Sequence, residues 1–403
     1  MSLYPARALE RAMKIQEVIL RAASGKILWM QAAEILGISP RSMRRWKGRY
    51  EEHGYDGLFD RRQQRPSPKR VPMATVEKVL RLYREQYFDF NVKHFAEKLA
   101  EEHAIELSYT WIKTALQTAG LVARQRKRGR HRKQRPRRPL PGMLLHVDGS
   151  RHGWLGPGRG QQDLIVIFDD AHSEAYYAQL VPEESTLTVM AGLKTVVQQQ
   201  GVFCSLYVDR GSHFVTTPGA GGPVDREQKT QIGRALQQLG IELIAAYSPQ
   251  ARGRCERLFG TWQGRLVAEL RSRQITSLEV ANRFLASHWL GIHNRKFKVA
   301  AQQSGTAFVP YRGTELDKIF SIQQERVVGN DNTVRFDNLT LQIEAQPFRY
   351  SLARCRVLVC RHLDGTLSLY YGQHRLGRYN ATGALPAGKM AQRGRSSGAA
   401  KTA

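Results

Sequence analysis

The stretch from residue 143 to residue 265 constrains this chain most, because its apolar runs switch period in a definite order. "MLLHV" (143–147) is a short apolar run, and "DLIVIFDDAHSEAYYAQLV" (163–181) reads as two more, joined by an Asp-Ala-His-Ser turn. "TLTVMAGLKTVVQQQG" (186–201) then has helical spacing and stops on Gly201. "FCSLYVDRG" (203–211) returns to a buried strand, "DREQKTQIGRALQQLG" (225–240) is a second helix with a glycine stop, and "IELIAAY" is a last strand. A longer helix is expected to start near Ser248-Pro249 and to carry "ARGRCERLFGTWQGRLVAELR". Three strands followed by strands alternating with helices predict a mixed α/β sheet with helices on its faces.

Two of these strands end on a carboxylate, Asp148 in "LHVDGS" and Asp209 in "LYVDRGSHF", and Glu256 lies on the last helix. Alone, Asp209 is either a turn residue or a metal ligand. In the predicted order the first and fourth strands lie side by side, so Asp148 and Asp209 meet at one edge, and the helix carrying Glu256 can cross it. Three converging carboxylates repel unless a cation sits between them. Hard oxygen ligands suit Mg²⁺ or Mn²⁺, and such a set holds two ions about 3.5–4 Å apart in phosphoryl transfer. Asp148, Asp209 and Glu256 are therefore the candidate catalytic and metal-binding residues. Gly211 is read as room for a substrate backbone.

Other residues near these positions have bland readings of equal or greater weight. Asp169 and Asp170 also end a strand, but the Ala-His-Ser after them reads as a hairpin turn. His146 shares a strand face with Asp148 and is expected to pack or to support it. His213 either caps the Asp209 turn or positions a phosphate or water. Trp262 is expected in the core.

The chain has 403 residues and a formal net charge of +27. The excess is +17 over residues 1–140, −1 over 141–265 and +11 over 266–403. A near-neutral middle between basic flanks points to a polyanionic partner, most simply nucleic acid. A membrane surface is disfavoured because the basic segments lack an apolar companion face. The four cysteines form no CxxC, so neither a disulfide framework nor a zinc ribbon is expected. "MSLYPARALERAMKIQ" lacks the apolar segment of a signal peptide, and no run approaches a membrane span, so a cytoplasmic location is expected.

The flanks divide further. In residues 1–58, Ala32, Ala33 and Leu36 make an apolar face, and Ser39-Pro40 starts a second helix with Met43, Trp46 and Tyr50 on one side. Arg41, Arg44, Arg45 and Lys47 lie elsewhere on that helix, the pattern of a DNA-binding helix-turn-helix; a small helical hairpin with a solvated basic face is the alternative. Residues 59–72 are a Pro-rich basic linker. Residues 73–122 begin with a helix over 75–88, and "NVKHFAEKLAEEHAIELSYTWIKTALQTAGL" then repeats the helix-turn-helix logic with a less basic face, for which DNA contact and protein packing stay equally open. Residues 123–140 form a basic linker whose Arg126, Lys127, Arg128, Arg130, Arg132 and Lys133 fit a phosphate track. Residues 141–300 make the α/β unit, and 320–380 hold short alternating runs that predict a small β-barrel. Residues 381–403 are a disordered tail by composition.

"HVDGS", "YVDRGSHF" and "YSPQARGRCERLFGTWQ" resemble the three signature blocks of the DDE transposases and retroviral integrases, which share the RNase H-like fold. With the leading helix-turn-helix units and "RVVGNDNTVRFDNLTLQI", the chain is similar to insertion-sequence transposases of the ISNCY type, from about residue 10 to 380. The resemblance assigns the catalytic acids to Asp148, Asp209 and Glu256. It implies Mg²⁺-dependent nicking at transposon ends, strand transfer by direct transesterification, and double-stranded DNA, as terminal inverted repeats and target, for a partner. A homodimer or larger synaptic complex associated with a bacterial nucleoid is also implied. Two features depart from the pattern. Asp209 and Glu256 are 47 residues apart, longer than in many relatives, with "VTTPGAGGPVD" (215–225) readable as an inserted loop. Gln263 stands where many relatives carry Lys or Arg, which leaves Arg252, Arg254 or Arg257 to contact DNA. A catalytically silent DNA-binding protein and a nuclease that cuts without joining are the rival readings.

Overall fold

The run Leu164–Phe168 is apolar at every position because helices cover both faces of its strand. Ile165 and Ile167 enter one core with Leu145, Val147, Leu206 and Val208, while Leu164, Val166 and Phe168 enter another, as period-two alternation requires. The computed structural model describes residues 6–59, 70–124, 135–217, 225, 228–246 and 252–384. The strand is β2 (Gln162–Asp169), flanked by β1 (Leu145–His152) and β3 (Ala175–Val181), and joined by β4 (Ser205–Val208) and β5 (Glu242–Ala245) in the order β3-β2-β1-β4-β5. β1–β2 and β2–β3 pair antiparallel, β1–β4 and β4–β5 parallel. The mixed sheet and the adjacency of the first and fourth strands are as the sequence predicts.

The chain divides into two compact units, Met1–Val79 and Leu80–Ala403. In the first, α1 (Ala6–Ala23), α2 (Trp29–Ile35) and α3 (Pro40–His53) enclose Ala32, Ala33 and Met43. Ser39 caps α3 by accepting the Ser42 N–H at 3.2 Å. α4 (Met73–Glu85) comes next.

In the second unit, α5 (Val92–His103) and α6 (Tyr109–Thr118) pack through Phe95, Leu99, Ile112 and Leu116, all fully buried. α7 (Thr186–Gln199) and α8 (Gln231–Gln238) cover one sheet face. The other is covered by α9 (Gly253–Gln263), α10 (Leu266–Ser272), α11 (Leu278–Phe284) and, after a π-helical turn, α12 (Leu290–Phe297).

The single long helix expected from residue 248 is two helices. Ser248–Ala251 lie outside the described residues, and the remainder breaks at Gly264-Arg265, where Arg265 leaves helical geometry at φ −135°. The freed Gly264 carbonyl accepts a 2.7 Å hydrogen bond from the Asn91 side chain, and a Cβ at Gly264 would sit 3.4 Å from that amide nitrogen. The break thus serves to dock α5.

Charge completes this docking. Arg265 pairs with Glu97 at 2.7 Å, Lys296 reaches Glu97 and Glu101 at 2.9 and 2.8 Å, and Glu269 receives His94 and Lys98 at 2.7 and 2.9 Å. Burial, with Arg265 and Lys98 nearby, pushes His94 down to about 3. Burial alone would raise Glu97, but Arg265 and Lys296 outweigh it and hold the carboxyl at about 2. Both folded values lie below the unfolded ones, so both groups contribute stability at neutral pH that is lost on acidification. The His94 share fades from about pH 6.5 downward and the Glu97 share from about pH 4.5. Protection factors of the α5 amides, which correct for the intrinsic pH dependence of exchange, are therefore expected to fall between about pH 6.5 and 4 before those of β2 do. An equal fall in both elements would contradict this docking energetics.

α13 (Leu316–Ile319) leads into the C-terminal strands. β6 (Ile322–Val327), β9 (Arg356–Arg361), β10 (Leu367–Tyr371) and β11 (His374–Tyr379) form an antiparallel sheet in the order β11-β10-β9-β6. β7 (Thr333–Phe336) and β8 (Leu339–Gln342) form a separate hairpin, whose Asp337-Asn338 turn has φ 45° and 63°. Both pack on one core, and hydrogen bonding among the described residues gives a sheet and a hairpin, with no closed barrel among them. Of the expected tail, residues 385–403 lie outside the described residues. Among those described, no helix is long and apolar enough to cross a membrane.

Candidate active site

Asp209 follows β4 directly, whereas β1 runs on to His152, so Asp148 lies within its strand rather than at the end expected of it. Leu145 pairs with Leu206 and His146 with Tyr207; carried forward two residues, the same offset sets Asp148 beside Asp209. Because Leu145 and Val147 face the α7 side, Asp148 faces the α9 side. α9 crosses that edge. An open cleft of about 670 Å³ there is lined by Asp148, Asp209, Arg252, Glu256 and Gln263 among others.

One arginine spans the two aspartates. The Arg252 guanidinium hydrogen-bonds Asp148 through Nη2 and pairs with Asp209 at 3.3 Å through Nη1. Burial pushes Asp148 up to about 6, against the pull of Arg252, with Asp209 adding repulsion. Glu256 lines the same cleft with an exposed side chain, and no cluster of three acidic, His or Cys groups is preassembled among the described residues. The donors present are carboxylate oxygens, two already close enough to share a cation, which fits a hard divalent ion.

Asp209 is a turn residue, its Oδ1 accepting the Gly211 N–H at 2.9 Å, and it also lines the cleft. A Cβ on Gly211 would stand 2.9 Å from that oxygen and 3.3 Å from the His213 ring, so glycine here protects the carboxylate itself. His213 pairs with Glu184 at 3.0 Å, and that hydrogen bond raises its pKa. Glu184, whose carboxylate would collide with a Cβ at Gly149, is a cleft-side acid that sequence reasoning missed; it sits in the "PEES" loop, which has no motif spacing.

Asp170, expected only as a turn residue, is fully buried beneath this site. It accepts Arg135 at 2.6 Å, the Arg138 N–H at 2.8 Å, His146 Nε2 at 2.8 Å, and Arg254. Burial would raise its pKa, but these donors hold it well below the usual carboxylate range. His146 is fully buried, stacked on Phe168 at 4.8 Å with Nδ1 3.9 Å from Cys255 Sγ, so it supports rather than lines the cleft. Asp169 caps its turn, accepting the Gly142 and Ala171 N–H groups at 2.7 Å each. Trp262 is in the core and donates to His293 at 2.9 Å.

The candidate DNA-contacting residues separate by environment. Arg41, Arg44 and Arg45 are exposed on α3, while Lys47 lies 4.7 Å over the Trp29 ring and 3.6 Å from Glu51. Arg252 and Arg254 are engaged by Asp148, Asp209 and Asp170 as described, and Arg254 also donates to the Arg135 carbonyl at 2.6 Å. Gln263 donates to Ser150 Oγ at 3.2 Å. Arg126, Lys127, Arg128, Arg130, Arg132 and Lys133 lie outside the described residues. The flanks of the 215–225 loop meet, Asp225 N–H donating to the Thr216 carbonyl at 2.8 Å, so part of the 47-residue separation is an excursion that returns to its origin.

The family description "Helix-turn-helix domain" matches residues 16–67, and "Homeodomain-like domain" matches 42–116. A Sinorhizobium fredii (strain NBRC 101917 / NGR234) protein named "Putative transposase y4bF" is 30% identical, over 91% of this chain and 80% of its own length. This chain belongs to the transposase family. The transposase for insertion sequence IS1202 of Streptococcus pneumoniae is 28% identical over 87% of this chain and 82% of its own. Among solved structures, a simian T-cell lymphotropic virus intasome bound to the PP2A regulatory subunit B56 gamma covers 74% of this transposase and 95% of that chain, at 12% identity and a TM-score of 0.34. The HTLV-2 integrase catalytic core with magnesium covers 41% and 94%, at 14% identity and a TM-score of 0.30.

Proposed function

We propose that this transposase binds the DNA ends of its element and catalyses metal-dependent nicking and strand transfer in the cleft of Asp148, Asp209 and Glu256. The observation that carries the reading is the closeness of Asp148, within β1, and Asp209, directly after β4, near enough to share one guanidinium, with Glu256 on the same cleft. A DNA-binding protein without chemistry has no use for that arrangement.

In nicking, a water oxygen bonds to the phosphorus of an end phosphodiester and the bond to the 3′-oxygen breaks, leaving a 3′-hydroxyl. In transfer, that hydroxyl oxygen bonds to a target phosphorus and displaces the target's own 3′-oxygen. Nicking is a hydrolysis, and in transfer one phosphoester bond forms for the one broken, so neither step needs an energy-supplying cofactor. Asp148, Asp209 and Glu256 would hold Mg²⁺ or Mn²⁺; a pair of such ions would lower the pKa of the attacking water or hydroxyl and stabilise the leaving oxygen. Arg252 neutralises the two aspartates until they are otherwise occupied, and is then free to meet a phosphate. Asp170 holds Arg254 and so steadies the first turn of α9, where Glu256 sits. Because two ends are processed together, a dimer or larger synaptic complex is the working assembly.

The test incubates purified protein with a labelled duplex carrying the inverted repeat found beside its gene, in Mg²⁺ or Mn²⁺. Nicks at the repeat boundary and products joined through the new 3′ end are expected. Binding without cleavage in either metal would leave a DNA-binding protein; cleavage without joining would leave a nuclease.

End recognition is assigned first to α3. Replacing Arg41, Arg44 and Arg45 together by Ala is expected to weaken duplex binding and flatten its log–log salt dependence by roughly 0.9 for each phosphate no longer neutralised. Lys47→Ala is expected to do less, since its ammonium is already held by Trp29 and Glu51. An unchanged slope in the triple variant would remove α3 from the phosphate track.

A further inference from the structure

We infer that the second helix-turn-helix is a fixed ruler, which sets the distance between the base pairs touched by α6 and the phosphodiester presented to the carboxylate cleft. The inference rests on the reading above. α5 is fastened to α10 and α12 by the buried Lys98–Glu269 ion pair and His94–Glu269 hydrogen bond, by the ion pairs of Glu97 with Arg265 and Lys296, and by the hydrogen bond from Asn91 to the broken turn at Gly264. α6 is locked to α5 by a fully buried apolar seam. The opposite face of α6 is left uncovered: Tyr109, Thr110, Lys113 and Thr114 are exposed, beginning at the Ser108 cap. Residues at the start of a second helix are those that reach base edges in a helix-turn-helix.

The same fastening reaches the active site. α10 comes directly after the Gly264-Arg265 break that ends α9, and α9 carries Glu256 near its start and Gln263 at its end. A tethered reader would tolerate variable spacing between recognition and chemistry. A reader bolted to the helix pair beside the cleft does not, because the buried charges that hold α5 cannot separate without being left unpaired. Nick position is therefore counted from the α6 contact, and the outermost base pairs of the element are located by distance.

The test uses the full-length chain and two duplexes, the natural end and one with two base pairs inserted between the segment α6 protects and the element boundary. That segment is defined by hydroxyl-radical footprinting, as the protection that disappears in Tyr109→Ala/Lys113→Ala. Cleft position is read without catalysis by an iron chelate on the thiol of Gln263→Cys, with Cys204→Ser removing the exposed native thiol. The expected result is that chelate cuts keep their distance from the α6 segment and move two base pairs relative to the boundary, with the wild-type nick moving alongside. Chelate cuts that stay at the boundary would overturn the ruler, as would a footprint unchanged in the α6 variant. Chelate cuts that move, with no nick from the wild type in Mg²⁺ or Mn²⁺, would support the ruler while sinking the strand-transfer reading.

Discussion

Asp209→Asn is expected to lower metal-dependent nicking and joining at least ~10³-fold, equivalent to about 4 kcal/mol of transition-state stabilisation. DNA affinity should stay within about twofold, because α3 and α6 lie on other elements. Stability should also hold. Asp209 is partly exposed, so its pair with Arg252 is screened and contributes little, and Asn retains an oxygen able to accept the Gly211 N–H. Asp148→Asn should match the catalytic loss while also relieving a buried charge, since burial is the main cause of the raised Asp148 pKa. Rate, affinity and melting temperature measured on the same preparations check all three statements. A variant that loses DNA binding together with activity would show that Asp209 supports the fold rather than the reaction.

Asp170→Ala is expected to be the most damaging single substitution near the site, through structure rather than chemistry. It strands Arg254 and the His146 ring and frees Arg135 and the Arg138 N–H, all of which converge on one fully buried carboxylate. Removing one partner of a buried charge cluster costs about 3–5 kcal/mol, which corresponds to a fall in melting temperature on the order of 10 °C. Asp170→Asn should recover part of this by keeping an acceptor for the Arg138 N–H. Calorimetry on the two variants decides the matter, and a melting temperature within a degree or two of wild type would contradict the hub.

The sheet was legible because one of its interior strands, β2, is buried on both faces. "DLIVIF" has no polar interruption, and the glycine stops of α7 and α8 punctuate the alternation. The nearness of Asp148 to Asp209 was legible because the strand order makes β1 and β4 neighbours; that β1 continues past Asp148 to His152 was not. Arg252 was not assigned to the aspartates because a basic residue next to a DNA-binding motif reads first as a phosphate contact. Asp170 was passed over because a carboxylate before Ala-His-Ser carries the local signature of a turn, and its donors come from residues 135, 138, 146 and 254. The break at Gly264 was hidden by helical periodicity that continues on both sides of it. The docking of α5 was equally hidden: alternating Glu and Lys on an amphipathic helix look solvated until the opposite charges arrive from α10 and α12.

Iron-mediated cleavage of the polypeptide tests the central claim most directly. Fe²⁺ bound where Mg²⁺ would bind, in the presence of ascorbate and peroxide, cuts the backbone close to its ligands. Cuts are predicted near residues 148, 209 and 256 together, suppressed by excess Mg²⁺ and lost in Asp148→Asn. Cuts elsewhere, or cuts at these three places that survive Asp148→Asn, would contradict a divalent-metal site built from these carboxylates.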